Sequence, residues 1–129
     1  MKWRIVINDV TGDSNAVQLT EAGFVDGALF PIGGVPVVSS AEQDVTSQLN
    51  NGDCIFEDIV DCSPLPCTIS YTLYEEPAAL ALGMAENPYR FPSDLSIQYF
   101  EEKRSSYVTV WRGEPTMPCD MSNVPDEFC

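Results

Sequence analysis

The sequence predicts a mainly β fold, a small β-sandwich or barrel-like domain with one or two short helices. Short segments in which apolar and polar residues alternate recur along the chain, glycine and proline separate them, and 44% of the 129 residues are hydrophobic. A chain of this length forms one domain with a real core. We therefore place a single β-rich domain at residues 1–112. Residues 113–129 are expected to form an extended, irregular, proline-rich tail packed on the domain or on a neighbour.

The N-terminal segment carries the first strand signals. Residues 2–10 predict a half-buried strand, because apolar residues occupy every second position. A turn follows, and residues 16–19 predict a short return strand. A loop is then expected around Gly23 and Gly27, because glycine commonly marks turns and loops.

The middle of the chain is predicted to be less regular. Residues 30–40 indicate an extended apolar segment, and Pro36 argues against a central strand there, since proline cannot donate a hydrogen bond to the ladder. Capping-box spacing predicts a short helix over residues 41–49. Residues 54–60 predict a further strand.

The second half of the chain contains the clearest patterns. Residues 67–75 alternate strictly and predict a strand, while the alanine- and leucine-rich residues 77–85 predict about two helical turns that begin at a favoured first-turn proline. Residues 95–101 and 107–112 both alternate and predict a β-hairpin. The expected inward-facing core residues are Ile5, Ile7, Ile69, Leu73, Ile97, Tyr99 and Trp111.

Charge is the most unusual property of the composition. Twenty acidic residues face six basic ones, which gives a formal net charge of -14. A negative surface repels free nucleic acid and anionic membranes and favours a basic partner. The other interpretation is that the charge serves only to keep the protein in solution.

The first twenty residues lack the apolar run of a secretory signal, and no run of about 18 apolar residues occurs. We expect neither a signal peptide nor a transmembrane segment.

Few residues are suited to chemistry. Histidine is absent, which removes the Ser-His-Asp triad, the Cys-His pair and the usual catalytic zinc sites. No glycine-rich phosphate loop occurs, and with so many carboxylates no single pair indicates a glycosidase.

Residues 8–15 place several side-chain oxygen atoms in one turn. These atoms are suited either to binding calcium or to accepting hydrogen bonds from the backbone of the turn itself. We predict no catalytic residue, no cofactor and no metal, and expect that the protein is not an enzyme.

The cysteines have poor spacing for zinc, because none forms a CxxC pair. Disulfides between Cys62 and Cys67 and between Cys119 and Cys129 would close the shortest loops. Cys54 would then have no disulfide partner. Buried free thiols are the alternative.

Together these features predict a non-catalytic structural protein that acts by protein–protein contact. The narrower prediction is a bacteriophage virion component, such as a capsid-decoration or cement protein, an adaptor or a tail protein, assembled in the host cytoplasm. Expected partners are proteins, in a homo-oligomer or larger assembly, without direct contact to nucleic acid or membrane. The expected interface residues are Lys103, Arg104, Pro115, Pro118, Pro125 and Phe128.

Two other functions fit parts of the sequence. An acidic inhibitor that mimics DNA would block a nucleic-acid-binding enzyme and would need rows of carboxylates on one face. A carbohydrate- or calcium-binding β-sandwich would use the turn at residues 8–15 or a platform of strand aromatics, for which a core position is the simpler interpretation. These aromatics are Trp3, Tyr71, Tyr99, Tyr107 and Trp111.

Overall fold

The computed structural model describes residues 1–33, 36–38, 60–85 and 87–115. Within these residues the protein is mainly β and consists of two antiparallel sheets that pack as a sandwich. The predicted fold class is therefore confirmed. No helix among the described residues has the length and apolarity that crossing a bilayer requires.

The described residues form eight strands and one 3-10 turn. In chain order these are β1 (Lys2–Val10), β2 (Val17–Val25), β3 (Val37–Val38), β4 (Val60–Cys62), β5 (Cys67–Thr72), β6 (Ala79–Met84), the 3-10 turn Pro88–Arg90, β7 (Pro92–Glu101) and β8 (Ser106–Gly113). The larger sheet has the order β3-β5-β1-β7-β8, and the smaller sheet has the order β4-β2-β6. Strand β1 therefore lies at the centre of the larger sheet, with β3 and β8 as its edges.

The two sheets share one hydrophobic core. Strand β1 contributes the alternate residues Ile5 and Ile7, and β2 contributes Leu19 and Phe24 from either side of a register shift. None of these four residues is more than 2% exposed. Burying one such side chain contributes about 1.5–3 kcal/mol. In β1 the alternation seen in the sequence is thus the direct cause of the packing against the smaller sheet.

Phe24 and Tyr71 tie the sheets together. The Phe24 ring centroid lies 5.0 Å from that of Tyr71 and 5.6 Å from that of Trp3, both in the larger sheet. The Tyr71 hydroxyl donates a hydrogen bond to the backbone carbonyl of Ala22 in β2. Burial, with the charge of Glu21 as the smaller cause, raises the pKa of Tyr71 far above its ordinary value. The hydroxyl therefore stays protonated and keeps its donor role.

A disulfide joins the two sheets at one end. Cys62 is the last residue of β4 and Cys67 is the first residue of β5, and the structure bonds them with their Cα atoms 6.3 Å apart. In the loop between them, the Leu65 N–H donates to the Asn15 side-chain oxygen at 3.3 Å. The structure thus brings together one of the two predicted cysteine pairs. Cys54, Cys119 and Cys129 lie outside the described residues.

Removing this crosslink should weaken the fold measurably. We expect the double variant Cys62→Ala, Cys67→Ala to lose about 2 kcal/mol of unfolding free energy, because the bond closes only a short loop and the chain-entropy effect grows with loop length. Urea denaturation of the oxidised wild type and of the double variant gives the difference. Identical denaturation midpoints would show that the bond contributes nothing to stability.

Two predicted elements are wrong. Residues 77–85, predicted as helical, contain strand β6, which pairs with β2 from Ala79 opposite Val25 to Met84 opposite Leu19. Strand β2 itself runs through Gly23, where a loop was expected. Pairing along the edge of β2 outweighs a helix propensity of a few tenths of a kcal/mol per residue. The predicted helix at residues 41–49 and nearly all of the predicted strand at residues 54–60 lie outside the described residues.

Candidate interaction surface

The hairpin of β7 and β8 presents the most exposed strand among the described residues. Its connecting turn contains the predicted basic pair, and both Lys103 and Arg104 are exposed. The Arg104 Nε atom lies 3.7 Å from the carboxylate of Glu101. An exposed ion pair of this kind contributes little to stability. The basic pair is therefore free to meet a partner at little energetic cost.

Strand β8 is a free edge. In the described part of the chain it pairs only with β7, and Val110 and Trp111 are 50% and 43% exposed. Natural β proteins shield such edges with charge or proline. The single charge of β8 is Arg112, whose Nη2 lies 2.9 Å from Oδ2 of Asp94 and whose hydrogen bond holds the pKa of Asp94 below its ordinary value. The edge is therefore long, apolar and electrically almost neutral.

Trp111 is exposed, whereas the sequence predicts it in the core. It pairs with Ile97 on the inner face of the larger sheet, yet it remains exposed because five strands face only three in the opposing sheet. Strict alternation over residues 107–112 places Tyr107, Thr109 and Trp111 on one face. A register shift between Ile97 and Gln98 instead leaves Tyr107 and Thr109 on the outer face and Trp111 on the inner one. The other expected core residues are buried or half-buried, namely Ile5, Ile7, Ile69, Leu73, Ile97 and Tyr99.

A groove of about 670 Å³ opens beside the uncovered part of the hairpin. Trp3, Tyr99 and Val110 line it with apolar surface, and its charged lining consists of Glu76, Glu102 and Lys2. An apolar cleft with few polar groups suits a peptide side chain or a small apolar ligand. It lies next to the exposed edge of β8, which makes the groove and the edge one continuous surface.

The outer face of the larger sheet has a different character. Here the term means the positions of β1, β5, β7 and β8 whose side chains point away from the core. These are Lys2, Arg4, Val6, Thr68, Ser70, Thr72, Asp94, Ser96, Gln98, Phe100, Tyr107, Thr109 and Arg112. The one acid of this set, Asp94, is paired with Arg112, whereas Lys2 and Arg4 form no ion pair with a described carboxylate, although the chain as a whole carries a net charge of -14.

Contacts between side chains order this outer face. The Arg4 guanidinium carbon lies 3.8 Å from the Tyr107 ring centroid, and its Nε donates to Gln98 Oε1 at 2.6 Å. Gln98 Nε2 in turn lies 3.1 Å from Thr109 Oγ1. A guanidinium over an aromatic ring gains roughly 0.5–2 kcal/mol. Arg4 is therefore held in one position at the surface.

Side chains of residues 8–15 form hydrogen bonds with their own backbone. Asp9 Oδ1 accepts from the N–H of Val10 at 2.9 Å, and the hydroxyl of Ser14 accepts from the N–H of Ala16 at 3.2 Å. In the described ranges no three Cys, Asp or Glu side chains are grouped so as to hold a metal ion. These contacts match the turn whose side chains bind their own backbone.

The structure describes only the start of the predicted tail. Strand β8 continues to Gly113, the first residue assigned to the tail, and Pro115 is half-buried. Pro118, Pro125 and Phe128 lie outside the described residues. The interface residues whose positions the structure gives are thus Lys103, Arg104 and Pro115.

The chain matches no protein-family model, no curated protein and no solved structure.

Proposed function

We propose that the protein is a non-catalytic structural protein that acts by protein–protein contact within a larger assembly, with β8 as its contact strand. The observation that carries this proposal is the exposure of Val110 and Trp111 on a free edge strand. The unpaired N–H and C=O groups of such an edge bind another strand, and side chains beside the edge add specificity.

The partner strand we propose is β8 of a second copy. Two identical edges pair antiparallel about a twofold axis, so each subunit supplies the surface that the other needs. The like net charges oppose this contact at long range. The edge itself carries only Arg112, which Asp94 already neutralises, and salt screens the remaining repulsion. Association should therefore strengthen with ionic strength.

The setting we propose is a bacteriophage virion. Small size, a β-rich fold, an acidic composition and the absence of histidine support this narrower proposal. The alternative of a DNA mimic requires rows of carboxylates on one face. On the outer face of the larger sheet the one acid, Asp94, is paired with Arg112, and Lys2 and Arg4 add positive charge. This face offers no row of carboxylates and so favours the structural role.

A single lysine on the edge tests the proposal. We expect sedimentation velocity to show concentration-dependent association of the wild type, and we expect Val110→Lys to raise the dissociation constant at least about tenfold, or about 1.4 kcal/mol, because charge on an edge opposes strand addition. Val110 is half exposed, so the fold should remain intact.

The matched control is Val37→Lys, the same substitution at an exposed position of the opposite edge strand, β3. It should associate like the wild type. A wild type that stays monomeric at every concentration contradicts the proposed contact. Equal weakening by both variants would assign the effect to net charge rather than to β8.

A further inference from the structure

We propose that the outer face of the larger sheet binds an acidic segment of a partner protein, with Arg4 and Lys2 as the binding cations. This inference goes beyond the proposed function, because it concerns a face of the sheet and not the edge of β8. It rests on the placement of charge, on the fixed position of Arg4 and on the spacing of the two cations.

The placement of charge is the first step. The chain has more than three acids for each base, so a cation that forms no ion pair requires a reason. Of the four other bases, Arg90, Arg104 and Arg112 each form an ion pair, at 3.7, 3.7 and 2.9 Å, and Lys103 is exposed in the hairpin turn directly after Glu101 and Glu102. No carboxylate in the described ranges forms an ion pair with Lys2 or Arg4, whose contacts are aromatic rings and an amide.

The fixed position of Arg4 is the second step. Its ring contact with Tyr107 and its hydrogen bond to Gln98 use one face of the guanidinium and the Nε atom. The two terminal nitrogens remain as donors, in the forked geometry that matches a carboxylate. Because the side chain is already ordered, a bound carboxylate costs less rotamer entropy than it would at a mobile arginine.

The spacing of the cations is the third step. Lys2 Nζ lies 5.5 Å from the Phe100 ring centroid, next to Arg4 on the same face of β1. Residues two apart on a strand are separated by roughly 7 Å, which is also the spacing of alternate side chains in an extended peptide. Two carboxylates of an extended acidic segment therefore fit Lys2 and Arg4 together.

The same observations disfavour nucleic acid as the occupant. Proteins that bind single strands stack bases on open aromatic faces. Here Arg4 covers Tyr107 and Lys2 lies over Phe100. Two phosphate contacts yield little affinity at physiological salt, and a body with a net charge of -14 repels a polyanion. A short acidic peptide avoids most of that repulsion.

A fluorescein-labelled ten-residue peptide of alternating glutamate and serine is the probe. We expect anisotropy titrations at about 20 mM salt to show binding that weakens about tenfold near 200 mM, because the charges are exposed. Arg4→Gln should weaken binding about tenfold, and Lys2→Gln should weaken it by a smaller factor. Arg90→Gln is the matched control, since it removes the same charge away from this face and should bind like the wild type.

Several results would overturn the inference. The first is a wild type that does not bind the peptide. The second is an equal loss of peptide affinity in Arg4→Gln and Arg90→Gln. The third is tighter binding of a labelled ten-nucleotide thymidine strand than of the peptide. Circular dichroism shows whether Arg4→Gln is folded. If it is not, Lys2→Gln provides the test, because the Lys2 side chain is exposed. Val110→Lys leaves Lys2 and Arg4 in place and adds a positive charge, so it should not weaken peptide binding. Failure at the edge and failure at the outer face are therefore distinguishable.

Discussion

Truncation of Phe24 to alanine should lower the free energy of unfolding by about 3–5 kcal/mol. The side chain is 1% exposed and contacts Trp3 and Tyr71 across the interface between the sheets. Its removal leaves a cavity between two hydrogen-bonded sheets, and their ladders limit how far the walls can collapse. Urea denaturation followed by tryptophan fluorescence measures the loss.

Phe30→Ala is the matched control for this truncation. Phe30 is 67% exposed in the turn after β2, so the same substitution should change stability by no more than about 0.5 kcal/mol. If Phe24→Ala cost as little as this control, Phe24 would not be the contact that holds the two sheets together.

The second large effect is expected at Gly33. Valine at this position should cost about 2–5 kcal/mol, because two independent penalties add. Gly33 has φ +93, a conformation that β-branched residues avoid. A Cβ there would also lie 2.6 Å from the carbonyl oxygen of Thr72 and 2.7 Å from Cδ2 of Leu73, which overpacks the end of β5.

Gly27→Val separates this local cost from the general cost of replacing a glycine. A Cβ at Gly27 meets no atom within 4 Å, so its substitution should stay within about 0.5 kcal/mol of the wild type. Thermal and urea denaturation of both variants give the comparison. A Gly33 variant as stable as the Gly27 variant would show that the chain around residue 33 can rearrange freely.

The strands that alternation predicts are those with one face on the core. Alternation in the sequence locates β1 and the β7–β8 hairpin correctly, although register shifts interrupt the period of two after Ile7 in β1 and within β8. Strand β6 was missed because its residues, Ala79–Met84, are apolar without alternation and are good helix formers. Only the neighbouring edge of β2 makes them a strand, and that neighbour lies more than fifty residues earlier in the chain.

The surfaces were harder to predict than the strands. Trp111 was expected in the core because it continues an apolar pattern, but the register shift in the hairpin and the narrower opposing sheet leave it exposed. The outer face brings Arg4 beside Gln98 and Tyr107, which follow it by more than ninety residues. Such a juxtaposition depends on strand order and register, and neither is encoded in local composition.

The central position of β1 also bears on the order in which the fold is completed. Strand β1 is made first, yet its partners β5 and β7 begin about 65 and 90 residues later. During synthesis β1 therefore cannot pair with β5 or β7 until most of the domain has left the ribosome. Forming contacts over such sequence separations is entropically costly. We therefore expect the domain to fold in milliseconds to seconds, as β-rich domains do. A growing chain with exposed apolar residues on β1 is the state most open to misassembly and to chaperone binding.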